Sequence, residues 1–328
     1  MSFDDYVPRR WLTNGHCMTV YTWGRPRRFP RLPPPEVRGF DVAPDARVVA
    51  KCHWREPAHA HPALLLLHGL EGSADAHYMR GIADKAFAAG FSVIRLNQRN
   101  CGGTDHLSVG VYNSGLTSDP AAVIREVIDR DRLTSIAVAG YSLGGNLALK
   151  LAGEYAAEGP PEVKAFVAVS PTIDLSACIR ALERPSNWVY QRNFLRALKQ
   201  RIRRKARLYP AIYSTEPLRR VRSVRQFDDA YTAWMSGYRD AEDYYYRASA
   251  LRVVDRIRVQ TLVITAADDP FVPIGAFRDP AVTGNACVSL DLTEHGGHCG
   301  FVSAGLDGDD GYWAERAIVR FVSGHCRV

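Results

Sequence analysis

Ala139-Gly140-Tyr141-Ser142-Leu143-Gly144-Gly145 decides the reading of this chain. The stretch contains the pattern G-x-S-x-G. A short apolar run, Ile136-Ala137-Val138-Ala139, precedes it, and a run rich in good helix formers, Asn146-Leu147-Ala148-Leu149-Lys150-Leu151-Ala152, follows it. Strand, sharp turn and helix in that order form the setting in which this pattern holds a serine hydroxyl at the tip of a strand, facing a cleft. The glycines belong to that geometry, because side chains there would collide with the neighbouring strand and helix. At average Gly and Ser frequencies the bare pattern arises by chance in roughly one chain in ten of this length, so it needs company. The bland alternative is a glycine-rich turn in which Ser142 caps a helix.

Two later segments supply the company. Thr261-Leu262-Val263-Ile264-Thr265 reads as a β-branched strand, and it runs into Ala266-Ala267-Asp268-Asp269-Pro270-Phe271-Val272-Pro273. Cys287-Val288-Ser289-Leu290-Asp291-Leu292 reads as another strand, followed by Glu294-His295-Gly296-Gly297-His298-Cys299-Gly300-Phe301. The order is Ser, then Asp, then His, each just past a strand end. That is the chain order of the α/β-hydrolase triad and not of the other serine-protease folds. The chemistry needs all three groups. A serine hydroxyl is a poor nucleophile at neutral pH, so a histidine must take its proton, and a buried carboxylate fixes the imidazole tautomer.

Upstream, Ala63-Leu64-Leu65-Leu66-Leu67-His68-Gly69-Leu70 reads as a buried strand entering a turn. In this architecture the loop after that strand gives one backbone N–H to the oxyanion hole, and the residue after the nucleophile gives the other. Leu70 and Leu143 are therefore the expected donors, through main chain alone, while their side chains read as apolar cleft lining. His68 reads as a turn residue rather than a second base.

Asp268 and Asp269 are adjacent and point in different directions, so the residues alone leave both open as the triad acid. The acid not used is expected to accept loop N–H groups. Of the two histidines, His298 is preferred to His295, because Gly296-Gly297 lets the backbone approach it closely. A zinc reading of His295-x-x-His298 with Cys299 is poor, since no CxxC or HExxH partner set exists elsewhere. Cys101, in a glycine-rich loop, reads as a small packing residue beside the cleft.

These residues resemble the YheT-like branch of the α/β-hydrolases, which includes bacterial predicted hydrolases and eukaryotic α/β-hydrolase-domain phospholipases and esterases. The resemblance covers nearly the whole chain. It is carried by Gly15-His16, by His68-Gly69-Leu70-Glu71-Gly72-Ser73 with His77-Tyr78, and by Asn97-Gln98-Arg99-Asn100-Cys101-Gly102-Gly103. It continues through the Ser142 segment to Asn146, then Phe227-Asp228-Asp229, Gly237-Tyr238, Asp243-Tyr244-Tyr245 and Ser249, and ends on Gly296-Gly297-His298-Cys299-Gly300-Phe301. Cys17-Met18 stands where Leu-Gln is usual, and Asn100 where Gly is usual. In many α/β-hydrolases the acid lies four residues before a Pro, and with Pro273 as the marker that spacing selects Asp269.

Composition agrees with a large globular enzyme. The chain has 328 residues, 46% of them hydrophobic, and can bury a substantial core. Its first residues hold no apolar signal core, and no apolar run approaches the ~20 residues that span a bilayer. Seven scattered cysteines suit free thiols in a reducing, cytoplasmic setting. The net charge of +7 concentrates in Arg192, Arg196, Lys199, Arg201, Arg203, Arg204, Lys205 and Arg207. Phe194, Leu195, Leu198, Ile202 and Leu208 interleave at helical spacing. The favoured reading is a solvated face whose Arg stems cover apolar core. Peripheral contact with anionic membranes is the alternative. Nucleic acid is not an expected partner, because no recognition module accompanies the charge.

The expected fold is α/β, an α/β-hydrolase arrangement with a mostly parallel sheet, helices on both faces and a helical lid. Residues 1–62 are expected as an extended segment and hairpin belonging to the catalytic domain, with a strand at 47–52. Residues 63–170 and 257–328 form the two parts of the core, with strands at 64–67, 91–96, 136–139, 165–169, 262–265 and 288–292. Helices are expected at 77–89 and 312–321, and another starting at Asp119 as N-cap with Pro120 after it. Residues 171–256 break the strand–helix alternation and are expected to be the lid. The expected activity is hydrolysis of carboxylic esters by Ser142, His298 and Asp269 through an acyl-enzyme. No metal or organic cofactor is called for, and the substrate would be a small acyl ester, including lipids. Acyl transfer or thioester cleavage would use the same intermediate, and a non-catalytic lipid-binding scaffold is the reading from a different class.

Overall fold

The computed structural model of the chain describes residues 6–304 and 310–326. Eight strands form one sheet in the order β1-β2-β4-β3-β5-β6-β7-β8. They are β1 (Glu36–Ala43), β2 (Ala46–His53), β3 (Ala63–Leu67), β4 (Ser92–Asn97), β5 (Ile136–Tyr141), β6 (Val163–Val169), β7 (Gln260–Ala266) and β8 (Val288–Thr293). β2 runs antiparallel to β1 and β4, and every other pairing is parallel. β3 is apolar and buried at every position because both faces of the sheet are covered there, as a parallel sheet requires. In β3, Leu65 and Leu67 point to one side with Val123, Ile124 and Val127 of α3 (Ser118–Asp131) and Leu147 and Leu151 of α4 (Leu143–Tyr155). Leu64 and Leu66 point to the other, with Met79, Ile82 and Ala83 of α2 (His77–Ala88) and Trp313, Ile318 and Phe321 of α11 (Trp313–His325).

The N-terminal region holds more than the expected extended segment and hairpin. Besides β1 and β2 it contains the helix α1 (Gly15–Gly24), capped by Asn14, whose side chain accepts from Cys17 N at 3.1 Å. The cap expected at Asp119 is also corrected. α3 begins two residues earlier, at Ser118 with Thr117 in the cap position, and the Asp119 carboxylate is held by Arg99 through two hydrogen bonds of 2.7 Å, so it is not available to cap.

Between β6 and β7 the chain forms α5 (Leu175–Leu182), the long α6 (Trp188–Leu208), α7 (Val224–Phe227), a π-helical turn at Asp228–Thr232, α8 (Ala233–Met235) and α9 (Ala241–Ala248), with α10 (Pro280–Thr283) following β7. The motif residues of this insertion knit it together. Tyr245 Oη donates to Asp228 Oδ2 at 2.7 Å, Ala241 N to Asp229 Oδ1 at 2.7 Å, and Ser114 N to Tyr244 Oη at 2.9 Å. Asn146, fully buried in α4, donates to Ser114 O and Ala248 O and accepts from Ala250 N, so the helix behind Ser142 anchors the end of the insertion.

The basic face of α6 is not the solvated one that the sequence suggests. Arg201 is 3% exposed and Lys205 is fully buried. Lys205 donates to the carbonyls of Asp105 and Ser108, and Arg204 Nε to Asp105 Oδ2 at 2.9 Å. Burial lowers the Lys205 ammonium to about 8. These cations clamp α6 onto the loop that follows β4, while Arg192, Arg196, Arg203 and Arg207 remain on the exposed side. Among the described residues no helix is long and apolar enough to cross a membrane.

Candidate active site

Ser142 sits between β5 and α4 with φ 55° and ψ −118°, a conformation costly for a side-chain-bearing residue. The turn is held by Ser142 N donating to Val169 O at 2.9 Å and by Asn146 N donating to Ser142 O at 3.0 Å. Glycine is obligatory on either side. A Cβ on Gly140 would lie 2.0 Å from Gly144 O, and one on Gly144 would lie 2.4 Å from Leu67 O.

Ser142 Oγ lies 2.9 Å from His298 Nε2, and His298 Nδ1 lies 2.8 Å from Asp269 Oδ2. The Asp269 side chain has no solvent exposure. Its second oxygen accepts Phe271 N at 3.0 Å and Val272 N at 2.9 Å, so the buried carboxylate is fully occupied. Asp268 turns the other way. Its Oδ1 accepts Gly296 N at 2.9 Å and Gly297 N at 2.8 Å, and its Oδ2 lies 3.4 Å from His295 Nδ1. The two neighbouring acids thus meet two different histidines, and only the Asp269–His298 pair reaches Ser142. Burial by itself would depress the His298 imidazole. The Asp269 carboxylate outweighs it, with help from Cys299, and holds His298 well above its ordinary value.

Leu143 opens α4, where an N–H has no intrahelical carbonyl to meet. The turn of Gly69 and Leu70 faces it, since a Cβ on Gly69 would come 3.2 Å from Ser142 Cβ. Gly69 N donates to Tyr78 Oη at 3.0 Å, Glu71 N to Tyr112 Oη at 2.8 Å and Gly72 N to Gly69 O at 3.0 Å. Among the described residues none accepts from Leu70 N. Two free N–H groups therefore flank the serine, an arrangement suited to an oxyanion. Leu70, Leu143, Cys101 and Tyr112 pack together behind them.

The remaining residues singled out in the sequence are structural. His68 is fully buried, with Nδ1 2.8 Å from Gly69 O and Nε2 accepting from Gln98 N at 3.2 Å. Burial lowers it to about 4, so it stays neutral. Cys101 is 3% exposed and burial pushes its thiol up to about 12, which leaves no thiolate at neutral pH. Asn100 has φ 62°, a region that Asn tolerates better than other side chains.

Several contributors carry no local signal in the sequence. Thr19 of α1 accepts His298 N through Oγ1 at 2.8 Å. A Cβ on Gly15 would lie 1.9 Å from Asp268 O, so the early Gly-His pair marks where α1 presses on the acid loop. Phe271 packs its ring 4.0 Å from that of His298. A small cavity of about 30 Å³ lies beside Leu70 and Leu143 and is lined also by Leu198 and Ile202 of α6 with Phe227 and Tyr231.

Residues 62–304 match the family described as alpha/beta hydrolase fold. The chain belongs to that family. It is 35% identical over 308 residues to the putative esterase YheT of Escherichia coli strain K12, covering 92% of this chain and 88% of that protein. It is 30% identical to phospholipase ABHD3 of Mus musculus over 75% of this chain, and it spans 59% of that relative's length. Among solved structures, the Pyrococcus furiosus esterase Pf2001 superposes with a TM-score of 0.58 over 89% of this chain and 93% of that chain, at 14% identity.

Proposed function

We propose that this α/β hydrolase cleaves carboxylic esters with Ser142 as nucleophile. The observation that carries the reading is the continuous relay from Ser142 Oγ through His298 to the buried Asp269. His298 Nε2 takes the hydroxyl proton as Ser142 attacks the acyl carbonyl. Asp269 holds the Nδ1–H tautomer and stabilises the imidazolium that forms. The backbone N–H groups of Leu70 and Leu143 receive the oxyanion. His298 then protonates the leaving alcohol, and water activated by the same histidine releases the acid. The names of the relatives, a putative esterase and a phospholipase, support ester chemistry.

Residues 171–256 act in this reading as a lid. The small cavity beside the two leucines is lined by side chains from that segment, so an acyl group entering there would have to part them and would then pack against them. Each methylene buried there contributes about 0.8 kcal/mol, which makes the roof the determinant of chain length. The test is steady-state hydrolysis of p-nitrophenyl acyl esters by wild type and by Ser142→Ala. A loss of about 10⁴-fold in kcat is expected of the variant. A variant that keeps wild-type turnover contradicts the reading.

A further inference from the structure

Two stretches that contain no Asp or Glu, residues 6–35 and α6, meet beside the mouth of the site. His16 of α1 joins them, with Nδ1 3.2 Å from Tyr190 Oη and its ring stacked on that of Tyr190. Tyr190 in turn packs on Phe271, ring centroids 5.3 Å apart, and Phe271 on His298. The same α1 holds His298 N through Thr19. The two helices are therefore a collar around the approach to Ser142.

The outward side of this collar is apolar where a water-facing surface should be polar. Trp23 is 75% exposed, Trp11 61% and Trp188 55%, with Val189 at 65% and Val20 at 57%. Helical phase gathers them. His16, Val20 and Trp23 are spaced i, i+4, i+7 along α1. On α6, Trp188, Arg192 and Arg196 are spaced i, i+4, i+8, and Tyr190 and Phe194 take the opposite, inward side against Phe271. The cations interleave with the rings. Arg192 stands over the Trp188 ring at 5.2 Å, and Arg10 and Arg196 are exposed. Three exposed tryptophans on two segments that touch through His16 and Tyr190 are more apolar surface than scattered single residues account for, and exposed apolar surface of this kind marks an interaction site.

We propose that this collar docks the protein on anionic lipid surfaces, with Trp11, Trp23 and Trp188 in the headgroup layer and the mouth of the Ser142 site turned to the bilayer. Tryptophan suits that layer because its ring is apolar while its N–H stays wet. Arg27, Arg31, Arg201 and Arg204 are paired with carboxylates from other elements, but among the described residues the exposed Arg10, Arg192 and Arg196 have no such partner and complement lipid phosphates and anionic headgroups. The same charge disfavours a symmetric pair of copies, since the face would meet its own arginines. Docking involves the exposed Arg192 and Arg196, not the buried Arg201 and Lys205 further along α6.

Vesicle flotation tests this without relying on catalysis, and Ser142→Ala protein should float as wild type does. Wild type is expected to float with phosphatidylcholine vesicles containing phosphatidylglycerol at low salt, to stay down with phosphatidylcholine alone, and to be released as salt is raised. Trp23→Ser combined with Trp188→Ser should reduce the bound fraction by about tenfold. Arg192→Gln combined with Arg196→Gln should weaken it at low salt and flatten the salt dependence. The substituted side chains are exposed, so melting temperature and hydrolysis of a short soluble ester should be unchanged. Absence of wild-type flotation at low salt, or flotation indifferent to both double variants, overturns the proposal. A dimer in sedimentation equilibrium that these substitutions dissolve overturns it in favour of a second copy.

Discussion

Arg201 Nη2 lies 2.6 Å from Glu71 Oε1, and Glu71 directly follows Leu70. Both side chains are buried, 4% and 11% exposed. The guanidinium also stacks over the Tyr112 ring at 4.1 Å, and Tyr112 Oη receives Glu71 N. Glu71 itself is in the left-handed region, φ 56°. One residue from the middle of α6 thereby pins the turn that carries Leu70, the proposed oxyanion donor. Arg201→Ala leaves the Glu71 carboxylate without its cation, and breaking a buried pair in this way destabilises by about 3–5 kcal/mol. A lower melting temperature is expected, with a fall in kcat larger than the change in KM. Unchanged melting and unchanged kcat would show that the pair is idle.

The two aspartates should separate by kinetics. Asp269→Asn removes the group that orients His298, whereas Asp268→Asn weakens only the loop that carries it. A difference of roughly two orders of magnitude or more in kcat/KM is expected, with Asp269 the more sensitive. Equal losses, or the reverse ranking, contradict the assignment.

The pH profile carries a sign. Catalysis needs neutral His298, and Asp269 holds its imidazole above the ordinary value near 6.5. Activity should therefore rise with pH through a midpoint above that value. Asp269→Asn removes the raising carboxylate and leaves the burial that lowers, so the midpoint of the residual rate should move toward acid. A midpoint that stays in place in the variant shows that the carboxylate does not set it.

Chain-length preference should follow the residues that roof the cavity. Phe227→Ala and Tyr231→Ala should shift the optimum toward longer p-nitrophenyl esters. Trp188→Ala and Trp234→Ala should leave it unchanged, since both rings are more than half exposed, 55% and 53%. Tyr190 and Phe194 pack on Phe271 instead of lining the cavity. An optimum indifferent to Phe227 and Tyr231 removes the lid from substrate selection.

The sheet was legible because its strands are short runs of apolar, often β-branched residues closed by loops, and strands buried on both faces leave that mark. Ser142, Asp268, Asp269, His295 and His298 were nameable because each lies just past such a run. Residue type alone left the two acids open, because adjacent side chains diverge by local backbone angles, and only the spacing to Pro273 in similar proteins and the glycines before His298 pointed to the Asp269–His298 pair that the structure brings together. α1 escaped because Gly15–Gly24 begins and ends on glycine and carries Thr and Val, all weak helix formers, with the Asn14 cap as its one local sign. The Arg201–Glu71 pair joins segments 130 residues apart, and the burial of Lys205 depends on carbonyls after β4. Charge runs look solvated in sequence, and only packing shows which cations turn inward.

The central claim is that Ser142 is the nucleophile, and the direct measurement is the site of covalent attachment. Wild-type protein treated with a fluorophosphonate probe, digested and sequenced by mass spectrometry should carry the adduct on Ser142, and Ser142→Ala should carry none. Folded protein that fails to label, or an adduct mapped to Cys101 or another residue, contradicts the account.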